Sequence, residues 1–120
     1  MSQNFNFHEL ENSESGVVTV DGAEIQTFTY TITGPNILSV TVGTTGLMGG
    51  DSGHGGRTYL KLEDHGGTDM QIRDSNSSNF EDTSSIEIRL GGDAELDSTI
   101  SLLEYAVKVL KSQVDYESGL

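Results

Sequence analysis

The strongest constraint on the fold is a run of glycines. Thr44 to Arg57 reads T-T-G-L-M-G-G-D-S-G-H-G-G-R, and six of these fourteen residues are glycine. Glycine loses the most backbone freedom on ordering, so the run is neither a helix nor a central strand. It suits tight turns, and it lets several backbone N–H groups approach one ligand. An acid (Asp51), an imidazole (His54) and a guanidinium (Arg57) are interleaved with the glycines. Two readings follow: a surface hairpin loop, or a loop that cradles a ligand.

The flanking segments are β-type before the run and mixed after it. Val17 to Val20 is a short apolar run that meets Asp21-Gly22, a strong two-residue hairpin signal. From about Ala23 to Thr33 the chain alternates, with Phe28, Tyr30 and Ile32 on one face and threonines on the other. Leu38, Val40 and Val42 share a face of the next strand, and Leu60 and Leu62 a face of the one after it. The turn at Asp64 to Gly67 predicts a hairpin between Thr58–Glu63 and Thr68–Arg73, with Met70 and Ile72 inward. Asp74 to Ser85 is rich in Ser, Asn and Asp and reads as loop, with Phe80 as an anchor or a stacking ring. Ile86, Ile88 and Leu90 form the last strand.

After Gly91-Gly92 the period changes. Leu96, Ile100, Leu103, Val107, Leu110 and Val114 recur at alternating spacings of four and three, a helical stripe. Asp93 is a candidate N-cap, and Lys108 and Lys111 sit where the helix dipole favours bases. Leu102, Ala106 and Val109 widen the apolar arc beyond what one sheet covers. Either the helix sinks deep into its own fold, or its second flank meets another subunit. The expected architecture is α+β: one domain over residues 1–120, with an N-terminal arm (1–15), about six antiparallel strands within 16–90, and one long C-terminal helix over 93–114. Phe5, Phe7 and Leu10 in the arm fit either a strand or a helical turn.

Composition narrows the function. The net charge is −13 and only six residues are basic, so no basic face exists for duplex nucleic acid or an anionic membrane. There are no cysteines, which removes disulfides and thiolate metal sites. The first residues lack a basic and apolar leader pattern, and no window is apolar enough to span a bilayer, so the reading is cytoplasmic. The hydrophobic share of 33% makes for a thin core and favours a homo-oligomer built through the C-terminal helix.

Catalysis finds little footing. Asp51, Ser52 and His54 are too close in sequence for triad geometry, and no G-x-S-x-G elbow is present. His54 and His65 lie in different loops outside any zinc-binding pattern, so neither a metal nor another cofactor is expected, and the chain is read as a non-enzyme. A small anion, by contrast, needs only one or two arginines and some backbone N–H groups. The candidate ligand-binding set is therefore Gly49, Gly50, Asp51, His54, Gly55, Gly56, Arg57, Phe80, Arg89 and Asp93. Asp93 would accept from a ribose hydroxyl or a base amine.

The stretches G-G-D-S-G-H-G-G-R-T, I-E-I-R-L-G-G-D-A-E-L and L-L-E-Y-A-V-K-V-L, over roughly residues 40–112, resemble small phage-borne proteins. The layout of sheet followed by helix is similar to that of the Thoeris anti-defence sponge proteins. The resemblance implies sequestration of a nucleotide-type immune signal without degradation, in pockets between subunits, in the host cytoplasm. The alternative is an acidic inhibitor or immunity protein that binds a basic enzyme as a nucleic-acid mimic; clustering of Glu63, Asp64, Asp69, Asp74, Glu81 and Asp82 on one face would favour it. A third expectation, ranked last, is a metal-dependent hydrolase using His54 and His65.

Overall fold

The computed structural model describes residues 13–34, 36–51, 54–66 and 69–117. Most of the N-terminal arm, with Phe5, Phe7 and Leu10, lies outside the described residues, as does Ser52. The described chain is α+β. Its strands are β1 (Glu14–Val20), β2 (Ala23–Ile32), β3 (Leu38–Thr44), β4 (Arg57–Asp64), β5 (Gln71–Ile72), β6 (Glu81–Asp82) and β7 (Ser85–Gly91), and its helix is α1 (Asp93–Glu117). Five strands form an antiparallel sheet in the order β1-β2-β3-β4-β7, and β5 and β6 pair as a separate two-stranded sheet.

Asp21 and Gly22 join β1 to β2 with φ of 51° and 79°, the left-handed backbone that a two-residue hairpin turn requires. The expected hairpin between Thr58–Glu63 and Thr68–Arg73 does not form. β4 pairs instead with β7, aligning Leu60 with Ile88 and Leu62 with Ile86. The physical reason is the apolar row: β7 extends it across a fourth strand with Ile86, Ile88 and Leu90, whereas the 69–84 excursion offers only Met70 and Ile72 at strand spacing, with Phe80 far from them in the chain. Ile72, expected inward, is exposed on the small sheet.

The two faces of the large sheet differ. One carries Val18, Val20, Ile25, Thr27 and Tyr59. The sheet curls about this face, so that the β1–β2 turn reaches β4 and β7, and Val20, Ile25 and Tyr59 pack into the core, with Ile25 fully buried at 0% exposure. The other face aligns Phe28, Val42, Leu60 and Ile88 in one row and Tyr30, Val40, Leu62 and Ile86 in the next. Much of it stands open: Tyr30, Val42, Leu62 and Ile88 are all exposed.

The helix is longer than its stripe predicts. Its 25 residues span roughly 37 Å at the α-helical rise. Because it runs on to Glu117, Lys108 and Lys111 lie inside it and the last turn holds no base. Neither does it sink into the fold. Leu96 is buried at 8% exposure, but Ile100, Leu103, Val107, Leu110 and Val114 are all exposed. Its main contacts with the sheet are at β4 and β7. No helix among the described residues is long and apolar enough to cross a membrane.

Candidate functional site

The glycine run folds into a knot around one carboxylate. Asp93 Oδ2 accepts the backbone N–H of Gly49 (2.7 Å) and Gly50 (3.2 Å), and Oδ1 accepts those of Met48 (3.0 Å) and Gly56 (2.9 Å). Led by the Met48 N–H, these donors hold the Asp93 carboxyl down at about pKa 2, against an ordinary 3.8. The loop answers with its own acceptors: Gly50 O takes the Asp93 N–H at 3.0 Å, and Gly56 O takes that of Gly92 at 2.8 Å. Asp51 Oδ1 accepts the Ala94 N–H at 3.3 Å, and Asp51 O accepts the N–H of His54 and Gly55.

The expected capping role of Asp93 is therefore corrected. Its side chain turns away from the helix to the loop, and Asp51, from the loop, takes a free N–H of the first helical turn. Each segment caps the other. Close packing makes glycine obligatory within the knot, because a Cβ on Gly55 would overlap the Gly50 carbonyl and one on Gly56 the Gly46 carbonyl.

A cationic pair sits beside the knot. Arg57 Nη1 donates to the carbonyls of Gly55 and Gly56 at 3.0 Å each. Arg57 Nε and Arg89 Nη1 both reach the same oxygen, Asp21 Oδ2, at 3.2 Å. The two guanidiniums are not equivalent: the Arg57 side chain is 13% exposed and that of Arg89 is 56% exposed. Next to them, Val18, Val20, Asp21, Tyr59, Glu87 and Arg89 line a cleft of about 360 Å³ between β1 and the β4–β7 edge. The Tyr59 hydroxyl donates to Glu87 Oε1 at 2.7 Å. Burial first, then the Glu87 bond and its negative charge, push the phenol up to about pKa 12.

The structure thus brings together nine of the ten candidates: Gly49, Gly50, Asp51, His54, Gly55, Gly56, Arg57 and Asp93 in the knot, and Arg89 through Asp21. Phe80 stands apart in the 69–84 excursion, with the Arg73 guanidinium 4.4 Å over its ring. Asp21, Tyr59 and Glu87 are the residues that sequence reasoning missed. Asp21 is legible only as a turn former, since nothing in the sequence says that the turn folds back across the sheet.

A second, apolar crevice of about 340 Å³ lies between the open sheet face and α1, lined by Phe28, Val42, Thr58, Leu96, Ile100 and Leu103 among others. Among the described residues, no three of His, Cys, Asp and Glu lie close enough to share a metal ion. Comparison of the chain with protein-family models, with curated proteins and with solved structures found no match.

Proposed function

We propose that this chain is a non-catalytic binding protein that captures a small anionic molecule of nucleotide type beside Arg89, in the cleft between β1 and the β4–β7 edge. One observation carries the reading: two guanidiniums share a single carboxylate oxygen at the mouth of a cleft, in a chain of net charge −13. Arg57 and Arg89 balance the carboxylates of Asp21 and Glu87, and the Arg89 fork, exposed and tied to Asp21 through Nη1, can turn to a phosphate. The cleft volume falls within the range of small-ligand pockets, roughly 300–1,000 Å³. Glu87 supplies an acceptor for a base amine or ribose hydroxyl.

The glycine loop enters this reading as support. Its N–H groups at Gly49, Gly50 and Gly56 are engaged by Asp93, so it acts as a rigid base that holds Arg57 in place. The resemblance to the Thoeris anti-defence proteins favours a sponge that retains its ligand intact, working in a phage-infected cytoplasm. The test is capture and release. The protein is incubated with cell extracts containing nucleotide signals, washed, heat-denatured, and the released molecules are identified by mass. An intact nucleotide, lost in Arg89→Ala, is the expected result. Equal capture by Arg89→Ala would sink the assignment, and a chemically converted product would restore a catalytic reading.

A second reading, the acidic inhibitor of a basic enzyme, is favoured by one feature. Asp74, Glu81 and Asp82 are exposed together with Asp69 on the 69–84 excursion. Asp64 does not join them, being buried and bonded to the Gly66 N–H. Strongly salt-sensitive capture of a basic protein, abolished by neutralising these acids, would support it.

A further inference from the structure

We infer that α1 is the dimerisation element of this protein, and that it pairs with α1 of a second copy in antiparallel orientation, the second copy closing the crevice between helix and sheet. The inference goes beyond ligand capture and does not depend on it.

Three observations lead to a second copy of this chain. The first is the seam. Ile100, Leu103, Val107, Leu110 and Val114 keep the alternating four-and-three spacing of a coiled coil and are all exposed, between 41% and 66%. A run of apolar residues with this period is built to meet another helix, and no other helix occurs among the described residues.

The second is self-complementarity. In an antiparallel pair each residue of one seam position faces the other position of the second helix. Here the residue numbers match without remainder: Ile100 faces Leu110 and Leu103 faces Val107, about one two-fold axis at the level of Tyr105, and Val114 comes to the level of Leu96, which its own sheet already buries. The same register sets Asp97 opposite Lys111 twice, and Ala106 against itself where the helices cross closest. Glu104 meets its own copy near the axis, the one like-charge contact of the flanks.

The third is charge and coverage. From Glu104 to Asp115 the helix carries two acids and two bases, hence no net charge, while the whole chain stands at −13. Antiparallel pairing lays the half that holds Lys108 and Lys111 along the acidic first half of the other helix, with Glu95 and Asp97, and keeps the two acidic sheets at opposite ends; parallel pairing would set them side by side. It also lays Leu110 of the second copy against Ile100 and brings Val114 to the end of the apolar crevice that Leu96 and Ile100 line. The exposed seam of Ile100, Leu103, Val107, Leu110 and Val114 amounts to on the order of 1,000 Å² over the pair, the lower edge of stable interfaces, and the closed crevice adds to it.

The test is sedimentation of the full chain at micromolar concentration, together with cross-linking. The expected mass is that of a dimer, tightened by added salt because two chains of the same charge repel. Val107→Asp is expected to give a monomer with the sheet intact, and Glu104→Gln to tighten the dimer several-fold. The natural absence of cysteine allows a register test: Leu103→Cys and Val107→Cys chains, mixed and oxidised, are expected to link to each other in preference to themselves. A monomeric wild-type chain would overturn the inference and hand the seam to an unlike partner. Preferential self-linkage of Leu103→Cys would overturn the antiparallel register, and a Val107→Asp chain that stays dimeric would remove the seam from the interface.

Discussion

The carboxylate of Asp93, at the first position of the helix, accepts the backbone N–H of Gly49 at 2.7 Å across 44 residues of chain. It accepts three further N–H groups of the same loop. A helix N-terminus and a glycine-rich loop are each an anion site by themselves. Here one internal anion satisfies the loop, and the Asp51 carboxylate satisfies part of the helix end.

Asp93→Asn keeps the shape but replaces one acceptor oxygen with an amide that faces N–H donors. The expected result is a lower Tm and faster amide exchange at Met48, Gly49, Gly50 and Gly56, with the β1–β2 hairpin unaffected. Unchanged exchange at those four amides would show that the carboxylate does not hold the loop.

The same group sets an acid limit. Its folded pKa, about 2, lies below the ordinary 3.8, so the contribution of Asp93 is fully present above about pH 4 and is lost as the pH falls toward 2. The Tm gap between the wild type and Asp93→Asn should therefore close across that window. A gap that persists at pH 2 contradicts the assignment.

Tyr59 behaves in the opposite sense. Its folded pKa is raised to about 12 from 10.0, so its contribution is complete below pH 10 and is lost as the pH rises toward 12. The ultraviolet difference between the wild type and Tyr59→Phe should show phenolate appearing near pH 12. Glu87→Gln removes the smaller causes and should bring that midpoint down only in part, since burial is the larger one.

Gly56→Ala pushes a methyl group into the Gly46 carbonyl and should cost about 1–3 kcal/mol by denaturant unfolding, the range for overpacking. Gly34→Ala, where an added Cβ meets nothing within 4 Å, is the control and should be neutral or slightly stabilising. Equal effects at the two sites would mean that the knot is looser than its geometry.

Asp21→Asn separates stability from binding. Asparagine tolerates the left-handed backbone at this turn, so the hairpin should persist. The two guanidiniums lose their shared counter-ion, and calorimetry should show a several-fold tighter affinity for nucleoside phosphates alongside a reduced Tm. Weaker anion binding would mean that Asp21 orients the arginines more than it competes with the ligand.

Much of the local architecture follows from the order of residues alone. The Asp21-Gly22 turn, the alternation in β2 and β3, and the switch to a helical period after Gly92 are properties of neighbouring residues, and they are as legible in the sequence as in the fold. The same holds for the clustering of glycines with Asp51, His54 and Arg57, and for the excess width of the helical stripe. What the tertiary structure alone decided is partnership. β4 took β7 over the nearer 69–84 segment because only β7 continues the Leu60 and Leu62 rows, a comparison between segments far apart in the chain. Asp93 reached back to Gly49, and Asp21 crossed to Arg57 and Arg89, because the sheet curls. Curl is a sum over five strands, which no window of sequence contains.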